Sequence, residues 1–323
     1  MNSIEQNAKI VNRYLVSKLK GTPHELYSAA SYLIVSGGKR LRPYMVMKSC
    51  EMLGGKTKNA INAASAIEMV HNFTLVHDDI MDNDEMRHGV TTVHKKFGMP
   101  IAILAGDVLF SKAYQVVSST SLPSNSVIEL VSRLAKSCVD VCEGQLLDIS
   151  MANSEKIPSQ SQYIKMIEKK TAALFEVSCA MGAICANAKR KDVSNLSSFG
   201  KNLGIAFQIT DDLIGVLGDP KITKKPVGND LREGKKSLPI LLAINRAKGE
   251  NKEIILKTFS NSFATQDDIE KALKIIRRLK IEKTVRRQAQ SYAQRAKRSL
   301  QSYSGSAKKD LLVLLSFVVK RSL

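Results

Sequence analysis

Leu75–Gly89 reads LVHDDIMDNDEMRHG and closes a helical run that begins at Ala63. Asp78, Asp79, Asp82, Asp84 and Glu85 all fall within eight residues. Asp78 and Asp82 are one turn apart and share a face, with Asp79 beside them. Like charges at this spacing cost a helix about 0.2–0.5 kcal/mol per pair, and carboxylates near a helix C-terminus oppose the macrodipole. The chain carries 49 Lys and Arg against 30 Asp and Glu, a formal net charge of +19, yet no cation sits inside the cluster. A divalent cation is the simplest compensation. Mg²⁺ takes oxygen ligands, typically one or two carboxylates plus substrate phosphates. A solvated acidic helix end explains a single such run equally well.

A second cluster follows at Phe207–Asp219, FQITDDLIGVLGD, where Gln208, Asp211, Asp212 and Gly215 keep helical spacing. Two acidic helix ends in one chain suggest a facing pair around a polyanion. Outward from both, nearly every segment has a 3.6-residue apolar period and alternating β-branched runs are scarce. The pattern predicts helices over 4–19, 26–35, 41–53, 58–82, 100–119, 124–149, 160–188 and 193–217. Shorter ones are expected over 239–247, 252–259, 266–279, 281–302 and 308–319, with a polar loop at 219–236. The expected fold is all-α, one domain over residues 1–323, with no internal repeat.

The helical segments are joined by short motifs. GGKRLRP stands at Gly37–Pro43, DDIMD at Asp78–Asp82, GD at Gly106–Asp107 and EGQLLD at Glu143–Asp148. KKTAAL follows at Lys169–Leu174, FQITDD at Phe207–Asp212 and KPVGNDLREGKKS at Lys225–Ser237. In this order the motifs resemble those of the trans-isoprenyl diphosphate synthases (the polyprenyl synthase family), nearest the archaeal short-chain, geranylgeranyl type. The resemblance implies a single helical bundle of the isoprenoid synthase type around a deep central cavity. It implies head-to-tail condensation of isopentenyl diphosphate with allylic diphosphates, geranylgeranyl diphosphate (C20) as product, Mg²⁺ (three ions with substrate bound), and a homodimer.

Residue by residue, the resemblance assigns Lys39, Arg42, His71 and Arg87 to the diphosphate of isopentenyl diphosphate. His88 departs from it, because the family usually has a second arginine there. A titratable imidazole then replaces a permanently charged fork, so binding is expected to weaken as the pH rises. Asp78, Asp79 and Asp82 are implied metal ligands, as is Asp211 with Asp212 nearby. Lys170, Lys225 and Lys235 surround the leaving diphosphate, and Thr171 and Gln208 turn oxygen dipoles toward the allylic cation. Phe73, with Thr74 adjacent, is the implied floor that sets chain length. Taken alone, any of these lysines reads as a surface lysine, and Phe73 as plain core. From the residues alone, Lys39, Arg40 and Arg42 after a glycine pair could together bind a phosphate.

Composition bounds the rest. Five cysteines form no CxxC and no zinc spacing. No apolar span reaches 18 residues, so no transmembrane helix is expected, and the N-terminus lacks a signal-peptide pattern; a cytoplasmic protein is expected. Between Glu270 and Gln301 eleven Lys and Arg face two acids. That density suits an anionic membrane or nucleic acid. Nucleic acid is disfavoured by two acidic clusters and by 5% aromatic residues with no Trp. Competing readings are a farnesyl or longer-chain synthase, a non-catalytic regulatory subunit, and a basic helical protein that binds anionic surfaces. Leu311–Val319 is apolar enough for a subunit interface or a membrane face.

Overall fold

The structure, a computed structural model, describes residues 2–218, 228–261 and 263–320. The first helices are α1 (Asn2–Lys18), α2 (His24–Ser36), α3 (Leu41–Met52) and α4 (Thr57–Met81). An antiparallel hairpin, β1 (Met86–Arg87) with β2 (Val90–Thr91), precedes α5 (Val93–Phe97), α6 (Met99–Ser118) and α7 (Ser124–Asn153). Next come α8 (Gln160–Ile167), a π-helical turn at Glu168–Ala172, α9 (Ala173–Cys185) and α10 (Arg190–Leu217). After residue 228 come α11 (Asn229–Arg232), α12 (Leu238–Arg246), α13 (Glu250–Thr258), α14 (Gln266–Arg278), α15 (Ile281–Ser299) and α16 (Ser306–Val319). The all-α expectation holds, with that hairpin the only sheet among the described residues.

The chain divides into two compact units. The first comprises Met1–Cys138, Leu174–Ser197 and Ser302–Leu311. Here α4 packs along α6 and α3. Every residue of α3 from Pro43 to Cys50 is buried, the expected fate of a helix with almost no polar face. Its exception, Lys48, is paired with Glu51 and Asp310 at 2.8 Å each. A Cβ on Gly182 would stand 2.3 Å from the Val46 carbonyl oxygen, so glycine lets α9 lie close against α3.

The second unit comprises Val139–Ala173, Ser198–Gln301 and Leu312–Leu323. Tyr163, Ile209, Leu213, Leu231, Leu241 and Ile276 belong to its core. Two of its helices start at capping boxes, Ser159 with Gln162 and Thr265 with Asp268. Each box satisfies orphan N–H groups that would otherwise fray the first turn.

Four departures from the sequence reading have physical causes. The segment 160–188 is broken by the π turn, which periodicity does not reveal. The β1–β2 hairpin and five-residue α5 are too short to show a period. Helix α6 corrects the expectation of no apolar span of 18 residues: it is long and apolar enough to cross a membrane by length and composition, because Asp107 and Lys112 are too few to offset its apolar residues. In α16, Leu311, Leu314 and Val318 are buried within this one chain, while Val313 stays exposed, so the apolar segment is divided between core and surface.

Candidate active site

Gly37 and Gly38 have φ of 130° and 122°, a region that favours glycine. The turn they permit ends at Arg40, left-handed at φ 51°. Arg40 is corrected from phosphate cation to structural tie. Its Nη1 donates to Glu68 at 2.9 Å, its Nε to Asn12 at 2.7 Å, and its Nη2 to the Ile34 carbonyl. These bonds fasten the turn to α1 and α4. Lys39 stays exposed.

Arg42 behaves differently. Its guanidinium lies 4.7 Å from the centre of the Phe175 ring, and its buried Nε–H meets no acceptor among the described residues. Burial pulls its pKa down to about 10, with Glu68 opposing. His71 is held well below its ordinary value, first by burial and then by Arg42, Arg40, His88 and Arg87. A neutral imidazole among guanidinium groups, beside an Arg42 N–H that meets no acceptor among the described residues, is a setting that an anion would stabilise.

At the end of α4, Asp78 is half-buried, Asp79 fully buried and Asp82 exposed. Arg87 donates to Asp79 Oδ1 through Nε at 2.7 Å and through Nη2, and its Nη2 lies 3.3 Å from Asp84. The hairpin turn brings this pair together. Burial raises the Asp79 pKa against the pull of Arg87, and Asp79 Oδ2 is buried with no hydrogen-bond partner among the described residues. Asp79 and Arg87, expected as metal ligand and phosphate cation, are thus bonded to each other. His88 sits in the turn at φ 52°. Burial, Arg87 and Arg40 push its pKa below the usual imidazole value. The group is charged only below its pKa, so its titration moves to lower pH than the sequence reading supposed.

The acidic end offers only carboxylate oxygen, the buried Asp79 Oδ2 among them, and that donor set fits a hard divalent cation. Among the described residues no three acidic, His or Cys side chains form a group that could by itself hold a metal ion. Below this end, Phe73 meets His77 edge-on at 4.7 Å and Phe110 at 5.2 Å, and Phe110 reaches Tyr114 at 5.0 Å. The Thr74 hydroxyl is turned back onto the His71 carbonyl at 2.8 Å.

In the second unit Asp212 is 2% exposed and both of its oxygens are engaged. Tyr163 donates to Oδ2 at 2.7 Å, Gln208 Nε2 to Oδ1 at 2.9 Å, and Lys235 Nζ lies 3.1 Å from Oδ1. Thr171 donates to Gln208 Oε1 at 2.8 Å. The chain Thr171–Gln208–Asp212–Lys235 is therefore fixed by hydrogen bonds. Asp212 above all, helped by Asp230, raises the Lys235 pKa well beyond its ordinary value. Asp211 is half-buried, and Lys170 pairs with Asp148. Lys225 lies outside the described residues.

Two glycines explain themselves here. A Cβ on Gly144 would stand 2.1 Å from the Lys170 backbone nitrogen, so α7 can approach the π turn only without a side chain. A Cβ on Gly215 would meet Asp230 Oδ2 at 2.3 Å. The Asp230 carboxylate fills the space that a third aspartate of the second cluster would enter. Sequence reasoning did not select Tyr163 or Asp230. Tyr163 is 49 residues from its partner and has no local signal. Asp230 lay inside a quoted motif, and an acid five residues before Lys235 was its only mark.

The chain has the all-α isoprenoid synthase fold. A geranylgeranyl pyrophosphate synthetase from Pyrococcus horikoshii superposes with a TM-score of 0.93 at 36% identity, over 99% of this chain and 97% of that one. A polyprenyl synthase from Caulobacter crescentus, complexed with calcium and isoprenyl diphosphate, superposes at 0.89 with 30% identity, over 99% and 96%. The geranylgeranyl diphosphate synthase of Sulfolobus acidocaldarius is 39% identical over 99% of this chain and 98% of its own length. Residues 23–276 match the polyprenyl synthetase family. The chain belongs to that family, and it is a prenyltransferase of isoprenoid biosynthesis, an isoprenyl diphosphate synthase.

Proposed function

We propose that this prenyltransferase condenses isopentenyl diphosphate with allylic diphosphates to make geranylgeranyl diphosphate. The observation that carries the reading is Arg42, a buried guanidinium with an N–H that lacks an acceptor among the described residues, in the same unit as the acidic end of α4. One set of groups suits a bare diphosphate and the other a metal-bound diphosphate. Arg42, Lys39 and the neutral His71 bind the isopentenyl diphosphate, with Arg87 and His88 at the rim. Asp78, Asp82 and Asp211 hold Mg²⁺, while Asp79 and Asp212 orient Arg87, Gln208 and Lys235. When bound, the Mg²⁺ ions stabilise the negative charge that develops on the leaving diphosphate.

The chain's own residues do the rest. Lys170 and Lys235, each held by a carboxylate, face the departing oxygens, with Lys225 as a third cation. Asp212 fixes the Gln208 amide, so that Gln208 Oε1 and Thr171 Oγ1 present lone pairs to the allylic cation. The alkene of isopentenyl diphosphate, held by its own cations, attacks that centre. One proton is then lost to the departing diphosphate, so positioning and electrostatics supply most of the rate. Residues 1–323 act as one polyprenyl synthase domain.

The test is product analysis with labelled isopentenyl diphosphate and C5, C10 or C15 primers, with Mg²⁺ or with EDTA. A C20 product abolished by EDTA is expected, and no condensation with any primer would refute the reading. In the same assay Phe73→Ala, which removes one ring from the Phe73–Phe110–Tyr114 cluster, should extend the product beyond C20. An unchanged chain length would remove Phe73 as the floor.

The enzyme works as a homodimer in the cytoplasm. Helix α6 exposes Met99, Ile103 and Leu104, an apolar face that a second copy would cover. All five cysteines are free thiols, which suits a reducing compartment. Sedimentation at micromolar concentration should give twice the 35.5 kDa chain mass; a monomer would contradict it. The basic late helices bring the enzyme to anionic membrane, where a product with a long apolar tail partitions.

A further inference from the structure

The acidic clusters account for metal and the Arg42 group for diphosphate, but neither uses the positive charge of α14 and α15. A cleft of about 480 Å³ opens there, lined by Arg277, Lys280, Lys283 and Arg287. None of these four has an ion pair or side-chain hydrogen bond among the described residues. The one acid in the lining, Glu282, is engaged by Arg286 at 2.8 Å. Four uncompensated cations therefore converge on one concavity.

Solvated surface charge is the ordinary explanation of such a run, and it covers only part of this one. Arg277 lies in the last turn of α14, where a cation is favoured by the macrodipole. Lys283 lies in the first turn of α15, where the dipole is positive and a cation is unfavourable, and Arg287 lies one turn further on. They are four residues apart and thus neighbours on one face. Repulsion between them adds to the dipole. A bound anion relieves both terms, and closely spaced Lys and Arg donors suit the oxygens of adjacent phosphate groups.

We propose that this cleft is a binding site for a phosphate-bearing anion, separate from the residues that handle substrate. Two sources share that chemistry, the headgroup of an anionic phospholipid and free diphosphate. The first would dock the enzyme on a membrane and the second would sense a product of its own reaction.

The full-length protein is compared with a Lys283→Glu/Arg287→Glu variant. A control, Lys9→Glu/Arg13→Glu, carries the same net charge change on exposed positions of α1. Binding is measured by co-sedimentation with vesicles of phosphatidylglycerol and phosphatidylcholine against phosphatidylcholine alone, and by calorimetric titration with inorganic diphosphate in EDTA, the titration being run on an Arg42→Met background so that the substrate-diphosphate group does not contribute. The cleft variant should lose vesicle or diphosphate affinity by about tenfold or more, while the control keeps most of it. Selective loss on phosphatidylglycerol vesicles identifies the lipid source. Selective loss in the titration identifies the free anion. Equal losses in cleft variant and control would show net charge alone, and no loss in either assay would show an empty cleft; both overturn the proposal.

Discussion

An Asp212→Asn enzyme is expected to lose condensation by about a hundredfold or more, almost entirely in kcat. Asp212 accepts from three groups at once: Tyr163, Gln208 and Lys235. Gln208 and Lys235 share Oδ1 while Tyr163 holds Oδ2. An asparagine oxygen at Oδ1 keeps both contacts but not the charge that holds the Lys235 ammonium, and its NH₂ turns to the Tyr163 hydroxyl; in the flipped orientation its NH₂ opposes both groups, and Gln208 turns away from Thr171. Removing one preorganised polar group from a charge-developing site typically costs 10²–10³ in kcat, and here two or three shift together. The KM for isopentenyl diphosphate should change little, since its proposed ligands are Lys39, Arg42 and His71. The variant should also lose about 1–3 kcal/mol of stability, because the 44%-exposed Lys235 retains water and Asp230. The Lys235 pKa is raised in the fold. Its contribution is thus fully present below the unfolded lysine value of about 10.4 and fades as the pH climbs toward the folded one. Urea titrations from pH 7 to 11 should show the gap between wild type and variant narrowing only at the alkaline end. A wild-type kcat in Asp212→Asn would remove Asp212 from the reaction.

The helices and both acidic clusters were legible because each is written locally, in a 3.6-residue period or in adjacent carboxylates. What was not legible is how carboxylates divide their work. Asp78 and Asp79 look alike in the sequence. In the fold one is half-buried, and the other is sealed against an arginine eight residues on by a hairpin too short to show a pattern. Asp211 and Asp212 divide in the same way, because one turns toward Tyr163. Lys39, Arg40 and Arg42 read as one basic run, yet the left-handed Arg40 spends its donors on Glu68, Asn12 and Ile34. Pairings across 28 to 49 residues depend on tertiary packing, and no window of sequence contains them. His88 shows the same limit for electrostatics. Its type was visible, whereas the direction of its pKa shift depends on burial and on Arg87 and Arg40.

Gly144→Ala is the second substitution with a large expected effect, and its sign opposes helix propensity. Alanine in a helix interior is about 1 kcal/mol better than glycine, so α7 alone would gain. Instead the new Cβ would lie 2.1 Å from Lys170 N, 2.6 Å from Lys170 Cα and 2.7 Å from the Lys169 carbonyl carbon. These are backbone atoms of the π turn and cannot swing aside as a side chain can. Either α7 or the turn must move, at a typical overpacking cost of about 1–3 kcal/mol. That turn carries Lys170 and Thr171. Lys170 would shift against Asp148, and Thr171 against Gln208. A displacement of about 1 Å in positioning groups can cost on the order of a hundredfold in rate. The expected variant is folded by circular dichroism, less stable than wild type, and slower by that factor in kcat, with a much smaller change in KM for isopentenyl diphosphate. A merely structural glycine would lower the melting temperature and leave kcat intact at temperatures where the protein is fully folded. Steady-state kinetics well below the melting transition separate the two. If Gly144→Ala gains stability and keeps its kcat, the π turn has room for a methyl group, and the close approach of α7 does not set the position of Lys170.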